Sequence, residues 1–258
     1  MLNIIGSKLV DERKNRQYQP LDDYIKKLGN LFFRWRSYIP IILFLILILR
    51  LNDLKYTFPN QIIEITYQVF CLFISISGEI VRIITVGFVP SGTSGRNTKS
   101  QRATALNTSG LYSITRNPLY LGNFLIIFGL SVFTRSYLIV ILNCLLFLIF
   151  YVPIILVEES FLFGKFGDLY REYVSKTPCF FPRLSLWRPP ENNWSWIMAI
   201  RREYSSIVSM ILSFVVIAHI RIYAIHSKPT VNIYWLIAGV VVLTMWLIMR
   251  TLKLLKKI

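Results

Sequence analysis

An all-helical bundle crossing a membrane several times is the fold this sequence predicts, on three observations. Hydrophobic residues make up 54% of the 258, and the mean hydropathy is +0.52, a balance that soluble domains do not carry. Apolar runs approaching the roughly 20 residues needed to cross a hydrocarbon core recur along the chain, and six can be marked. Lysine and arginine gather in alternate connecting segments, which is the charge bias of a polytopic membrane protein.

Residues 1–34 are charged and lack an apolar core, so they read as a cytosolic apron rather than a cleaved signal. The first span is 35–51. Its apolar heart, 39–49, is short and carries Phe32, Phe33 and Trp35 as an interfacial collar. The second, 62–89, is interrupted by Glu79 and Arg82, which lie three residues apart on one helical face and are expected to pair with each other. Spans 119–133 and 137–157 are joined only by Thr134, Arg135 and Ser136, which makes them a helical hairpin. The fifth, 206–225, holds Arg221 near its outer end, where it is expected to snorkel to the interface. The sixth is 233–249. The organisation is thus an apron at 1–34, two spans within 35–89, a core with the hairpin at 90–183, and a linker with a C-terminal pair of spans at 184–258.

Basic residues test the count independently. Eight precede the heart of the first span, four lie in 90–117, seven in 158–204 and four after residue 248. The intervening segments hold two, one and one. Both termini and the two long loops are therefore expected in the cytoplasm. The net charge of +16 becomes a basic rim facing anionic lipid headgroups, and no nucleic-acid partner is needed to explain it. Cys71 and Cys144 fall within spans and Cys179 in a loop, a pattern that suggests neither disulfides nor zinc. His219 and His226 are the only histidines, so no metal site is expected.

The loop 90–117 contains Gly92, Gly95, Arg96, Lys99, Arg102, Asn107, Thr108 and Gly110 but no acidic residue. It ends in Arg116, Asn117 and Pro118, where proline suits the first helical position and asparagine the cap before it. Glu158 and Glu159 close the fourth span, and the hairpin returns them beside Arg116. Carboxylates and an arginine at the mouth of membrane helices are costly to keep there, which marks a functional site. Next come Phe163, Phe166, Tyr170 and Tyr173 at helical spacing, broken by Gly164 and Gly167. Such a stripe suits an interfacial helix and equally a cover for a purine or an onium sulfur.

These residues, taken in order, resemble a known family. Thr108, Gly110 and Tyr112, then Arg116, Asn117, Pro118, Tyr120 and Gly122, then Glu158, Glu159, Leu162, Phe166, Gly167, Tyr170, Tyr173, Thr177 and Pro178 are similar to the integral-membrane methyltransferases. That family is typified by isoprenylcysteine carboxyl methyltransferase and includes the phospholipid N-methyltransferases. The resemblance covers about residues 90–183 and implies S-adenosyl-L-methionine as donor, bound at the cytosolic side. It further implies cofactor contacts at Thr104, Ala105, Leu106, Asn107, Tyr112, Asn117, Pro118, Leu119 and Tyr120. Glu158 would stand where lipid and methyl group meet, with Arg116 and Glu159 as its catalytic companions and Tyr170 shaping the pocket. The lipid would enter sideways from the bilayer.

Three departures bear on the acceptor. Asn117 and Thr104 stand where the family usually has histidine, and Ile154 occupies the place one helical turn before the acidic pair where the prenylcysteine branch has arginine. The expectation moves from a prenylated protein to a lipid, with the bacterial lipid A phosphate methyltransferases among the candidate branches. Methyl transfer from a sulfonium needs mainly alignment and desolvation, and an anionic oxygen needs no base. An amine acceptor would require a glutamate to take a proton. The basic loop favours an anionic phosphate or carboxylate oxygen. Two other classes stay open: an NADPH-dependent sterol- or polyprenol-type reductase, which shares a similar Arg-x-Pro entry but not the Glu-Glu pair, and a non-catalytic subunit or transporter, for which paired broken helices are expected. The last two spans lie beyond the resemblance, with packing or dimerisation as their expected role and no part in the site.

Overall fold

Four polar side chains start the four long helices of the computed structural model, which describes residues 23–36, 38, 46, 48–89 and 103–255. Asn60 accepts from the Ile62 amide at 2.7 Å, Ser136 from Ile139 at 3.3 Å, Ser195 from Met198 at 3.2 Å and Asn232 from Tyr234 at 3.1 Å. Each satisfies an amide that the first helical turn leaves without a partner. In chain order the helices are α1 (Asp23–Trp35), α2 (Gln61–Gly87), the short α3 (Leu111–Ile114), α4 (Pro118–Phe133), α5 (Tyr137–Phe166), α6 (Asp168–Lys176), α7 (Trp196–His226) and α8 (Ile233–Leu254). α2, α5, α7 and α8 are long and apolar enough to cross a membrane, and α4 is a shorter apolar helix beside them. The chain is a helical membrane protein. Most of the expected span 35–51, the part of the basic loop at 90–102 that holds Arg96, Lys99 and Arg102, and most of the apron lie outside the described residues.

α4 is the centre of the bundle and packs against α2, α5 and α7. Its antiparallel fit to α2 depends on missing side chains. A Cβ on Gly122 would come within 2.7 Å of the Gly78 carbonyl oxygen, and one on Gly129 within 2.3 Å of Ser75 Oγ. Small residues at these contacts let two helices approach closely enough to gain dispersion energy where lipid removes the hydrophobic driving force. The α4–α5 hairpin is closed near its turn by Asn143, whose amide donates to Ser131 Oγ at 2.6 Å. α1 lies along α5 because Gly29 offers no Cβ to Val157 and the Pro153 carbonyl, each within 2.5 Å of where one would sit.

Helix lengths set the depth of the site. Sixteen residues give α4 about 24 Å, against roughly 40 Å for the 27 of α2 and 45 Å for the 30 of α5. The start of α4 is recessed relative to α5, which runs eight residues past Glu158, and to α7, which begins seven residues before Glu203.

Two sequence expectations change in three dimensions. Arg82 grips Glu203 of α7, with Nε and Nη2 at 3.0 and 2.6 Å from Oε2, and donates to Asn123 of α4; Glu79 accepts from Ser206 at 2.9 Å. The carboxylate for Arg82 therefore comes from 121 residues away rather than from its own helix. Arg221 does not snorkel. It is 5% exposed and donates to the carbonyls of Phe133 and Tyr56 at 3.3 and 2.9 Å, closing the C-terminal end of α4. Arg135 joins it there, paired with Glu64 and stacked over the rings of Phe58 and Tyr67.

Candidate functional site

The recessed start of α4 receives side chains from four parts of the chain. Arg116 and Asn117 precede the helix, Tyr120 stands on its first turn, Glu158 and Glu159 come from α5, the returning helix of the hairpin, and Arg36 follows α1. Opposite them runs the segment after α6. It is held to 110–116 by backbone bonds from Arg116 N to Pro178 O at 2.9 Å, Arg183 N to Ile114 O at 2.9 Å and Gly110 N to Arg188 O at 3.0 Å. Gly110 takes a positive φ of 59° to make this turn.

Arg116 binds Glu159 with a two-pronged fork, Nε to Oε1 at 2.8 Å and Nη2 to Oε2 at 3.2 Å. Its Nη1 donates to the carbonyls of Thr177 and Val174 at 2.8 and 3.4 Å. Burial alone would lower the basicity of this guanidinium, but the Glu159 carboxylate outweighs it and holds the pKa above the ordinary arginine value. Asn117 occupies the cap position without capping. Its side-chain amide turns to the Cys179 carbonyl at 3.0 Å and to Glu159 Oε1 at 3.4 Å, while Pro118 fills the first turn as expected. Burial, with Glu159 beside it, raises the Cys179 thiol above its ordinary pKa.

Glu158 has a separate set of partners. Tyr120 donates its hydroxyl to Oε2 at 2.8 Å, and Arg36 Nη1 approaches Oε1 at 3.4 Å and the same hydroxyl at 3.3 Å. Beneath this pair Tyr120 meets the Tyr151 ring edge to face and Tyr151 stacks on Phe147, in a cluster with the fully buried Ile154. Asn123 reaches the Tyr151 hydroxyl at 3.4 Å, so Arg82 and Glu203 connect α7 to the floor of the site.

The remaining sequence candidates divide between two places. Asn107 and Tyr112 line a narrow cleft with Thr85, Phe88, Pro190 and Asn192, between the end of α2 and the loop before α3. Leu106 packs on Tyr170, Tyr173 and Val174, while Thr104 and Ala105 are exposed. Pro118 is fully buried and Leu119 half-buried. The cleft and the charged cluster are tied together by the Tyr173 hydroxyl, which donates to the Tyr112 carbonyl at 2.7 Å; burial raises its pKa and keeps it protonated for that role. Sequence reasoning missed Arg36, Glu203 and Asn192. Arg36 stood in plain sight, one residue beyond the aromatic collar, but counted there only toward the basic rim.

Residues 80–168 match the model of the family described as phospholipid methyltransferase. Two curated relatives are similar over part of their length. The cobalt-zinc-cadmium resistance protein CzcN of Cupriavidus metallidurans is 43% identical over 90 residues, 35% of this chain and 41% of the relative. The nickel-cobalt-cadmium resistance protein NccN of Alcaligenes xylosoxydans xylosoxydans is 32% identical over 128 residues, 50% of this chain and 59% of the relative. The chain thus spans about half the length of these two relatives. No solved structure matches it significantly. Arg82, the Arg116–Tyr120 corner, Glu158 and Glu159 all fall within 80–168, the segment over which the chain is similar to the phospholipid methyltransferase family.

Proposed function

We propose that this protein is an integral-membrane methyltransferase that uses S-adenosyl-L-methionine and methylates an anionic oxygen, phosphate or carboxylate, of a lipid. The observation that carries the reading is the meeting of Arg116, Asn117, Tyr120, Glu158 and Glu159 at the recessed start of α4, inside the family segment. The residues around the cleft suit the donor. Phe88 and Tyr112 supply aromatic faces for a purine, and Asn107, Asn192 and Thr85 supply amides and a hydroxyl for its polar edges; the carboxylates of opposite sign to a positively charged sulfur stand in the separate charged cluster. When bound, S-adenosyl-L-methionine supplies a methyl carbon that an oxygen anion displaces from sulfur in line, leaving a thioether and a methyl ester. The protein's part is alignment and exclusion of water. Arg116 and Asn117 hold the chain at 177–179 against Glu159, Tyr120 orients Glu158, and the ring stack under Tyr120 closes the floor. Each carboxylate is already matched to an arginine, which suits an acceptor that brings no proton to remove.

In this reading both termini and the site face the cytoplasm, where the basic residues gather, and the lipid reaches the site from the bilayer. Methylating an anionic headgroup removes one negative charge, and with it affinity for divalent cations. That consequence reconciles a methyltransferase with relatives named for metal resistance. Calorimetry on detergent-purified protein tests the proposal: S-adenosyl-L-methionine binding without NADPH binding, weakened in Glu158→Ala, is expected, followed by transfer of labelled methyl into a lipid extract. Preference for NADPH would replace the reading with a reductase.

A further inference from the structure

The segment after α6 combines large exposed apolar side chains with a backbone that is tied down from within. Phe181, Leu184 and Trp187 are 81%, 74% and 51% exposed, at intervals of three along the chain. A single 3-10 turn, Leu184–Leu186, places Leu184 and Trp187 on one face, because residues three apart eclipse in that geometry. Arg183 N donates to Ile114 O at 2.9 Å, Leu186 N to Arg183 O at 3.0 Å, Trp187 N to Leu184 O at 3.1 Å and Arg188 N to Ser113 Oγ at 2.9 Å. Thr115 Oγ1 donates to the Cys179 and Phe180 carbonyls at 3.3 and 3.0 Å, and Pro182, Pro189 and Pro190 carry no N–H to satisfy. Irregular backbone in lipid needs its polar groups met by protein in this way, whereas a loop in water does not.

Neighbouring rings fix the depth of this segment. Phe180 packs 5.9 Å from Phe124 and 6.0 Å from Phe147, centre to centre. Phe124 lies six residues into α4, about 9 Å below its start. At about 24 Å, α4 is shorter than a hydrocarbon core of roughly 30 Å, so a segment on the outside of the bundle at its start meets lipid. Phe181 sets its ring edge-on to that of Phe180, 5.6 Å away, and outward from the bundle. Arg183 is exposed between Phe181 and Leu184, the mixture of positive charge and apolar surface found in a headgroup layer. We infer that residues 181–187 insert into the lipid layer at the site end of the bundle, with Phe181, Leu184 and Trp187 among the upper acyl chains and Arg183 on anionic headgroups. The stretch begins two residues after Cys179, whose carbonyl receives Asn117, so lipid anchors the wall of the site from outside. The inference stands apart from the methyltransferase reading, because it needs only the membrane.

Nitroxide accessibility of the full chain in lipid nanodiscs tests this. Labels are placed through Phe181→Cys, Leu184→Cys and, as the water-facing control on α6, Glu172→Cys, in a Cys71→Ala, Cys144→Ala, Cys179→Ser background. Relaxation by oxygen is expected to exceed relaxation by a nickel chelate at 181 and 184, with the order reversed at 172. Adding dioleoyl phosphatidylglycerol to dioleoyl phosphatidylcholine should deepen the label at 184, and Arg183→Gln should abolish that shift. Nickel-dominated relaxation at 181 and 184 would overturn the inference by putting the segment in water. Protection from both reagents would overturn it in favour of a second copy or another protein covering this face. A depth indifferent to phosphatidylglycerol would overturn the part assigned to Arg183. The wild-type chain gives a check free of substitutions: phosphatidylglycerol with a diazirine high in its acyl chain should photolabel 181–187, and labelling of the spans alone would overturn the inference as well. Calorimetry with S-adenosyl-L-methionine keeps the two readings apart, since no binding would remove the methyltransferase reading and leave the lipid result standing.

Discussion

Arg116 carries its charge where burial disfavours it, and Glu159 is the main group that offsets this. Truncating it leaves a carboxylate 20% exposed without its cation and leaves the Thr177 carbonyl without a donor. Arg116→Ala should therefore cost about 3 kcal/mol, the lower end of the range for breaking a largely buried pair, seen as a lowered thermal midpoint in detergent together with lost activity. Glu158→Ala is the contrasting variant. Its partners are Arg36 and Tyr120 near the membrane edge, so activity should fall while the melting point moves less. Cys179 gives the pH test. Its thiol is raised above the ordinary 9.0, so in a Cys71→Ala, Cys144→Ala background maleimide should label it slowly at neutral pH and accelerate only above that range. The folded thiol keeps its proton where the unfolded chain has lost it, so this group's contribution to stability declines as pH rises through the ordinary thiol pKa.

Helices meet here through what their residues lack as much as through what they offer. Gly122→Val would drive a side chain into the Gly78 carbonyl and the Arg82 stem, and it should abolish the monodisperse elution of the purified protein. Gly29→Val acts on a single peripheral helix. It should lift α1 from Val157 and Pro153, expose Lys26 and Lys27 to trypsin and weaken activity through Arg36, while the rest of the bundle elutes as before. The dependence of the site on α7 was not anticipated from the sequence, which read the last two spans as dispensable. Glu203→Ala would leave Arg82 buried without its carboxylate and loosen Asn123 above Tyr151. A midpoint lowered together with activity is the expected result, and unchanged activity would return α7 to a packing role.

At the scale of the whole molecule, the polar groups sort to the two ends of the bundle. One end holds the acid–arginine site and the paired segments 110–116 and 178–188; the other holds Glu64, Arg135 and Arg221 around the Tyr56 carbonyl. With basic residues dense at the first end, a fluorescent protein fused after residue 258 should mature and fluoresce in the cytoplasm, whereas a cysteine placed at Lys228 should label from outside. Reversed labelling would put the site on the opposite face. The spans that fall among the described residues, the hairpin and the meeting of Arg116 with Glu159 were legible in the sequence, whereas Glu158, expected beside them, turns to other partners. Apolar length and charge alternation are local properties, and a three-residue connection compels α4 and α5 to return alongside each other. Arg36 on Glu158, Glu203 on Arg82, the buried Arg221 and the turning of Asn117 from cap to clamp were decided by tertiary structure alone. Which cation meets which carboxylate depends on helix rotation and close approach, set by Gly29, Gly78 and Gly122, and those contacts join residues that the chain keeps up to 122 positions apart.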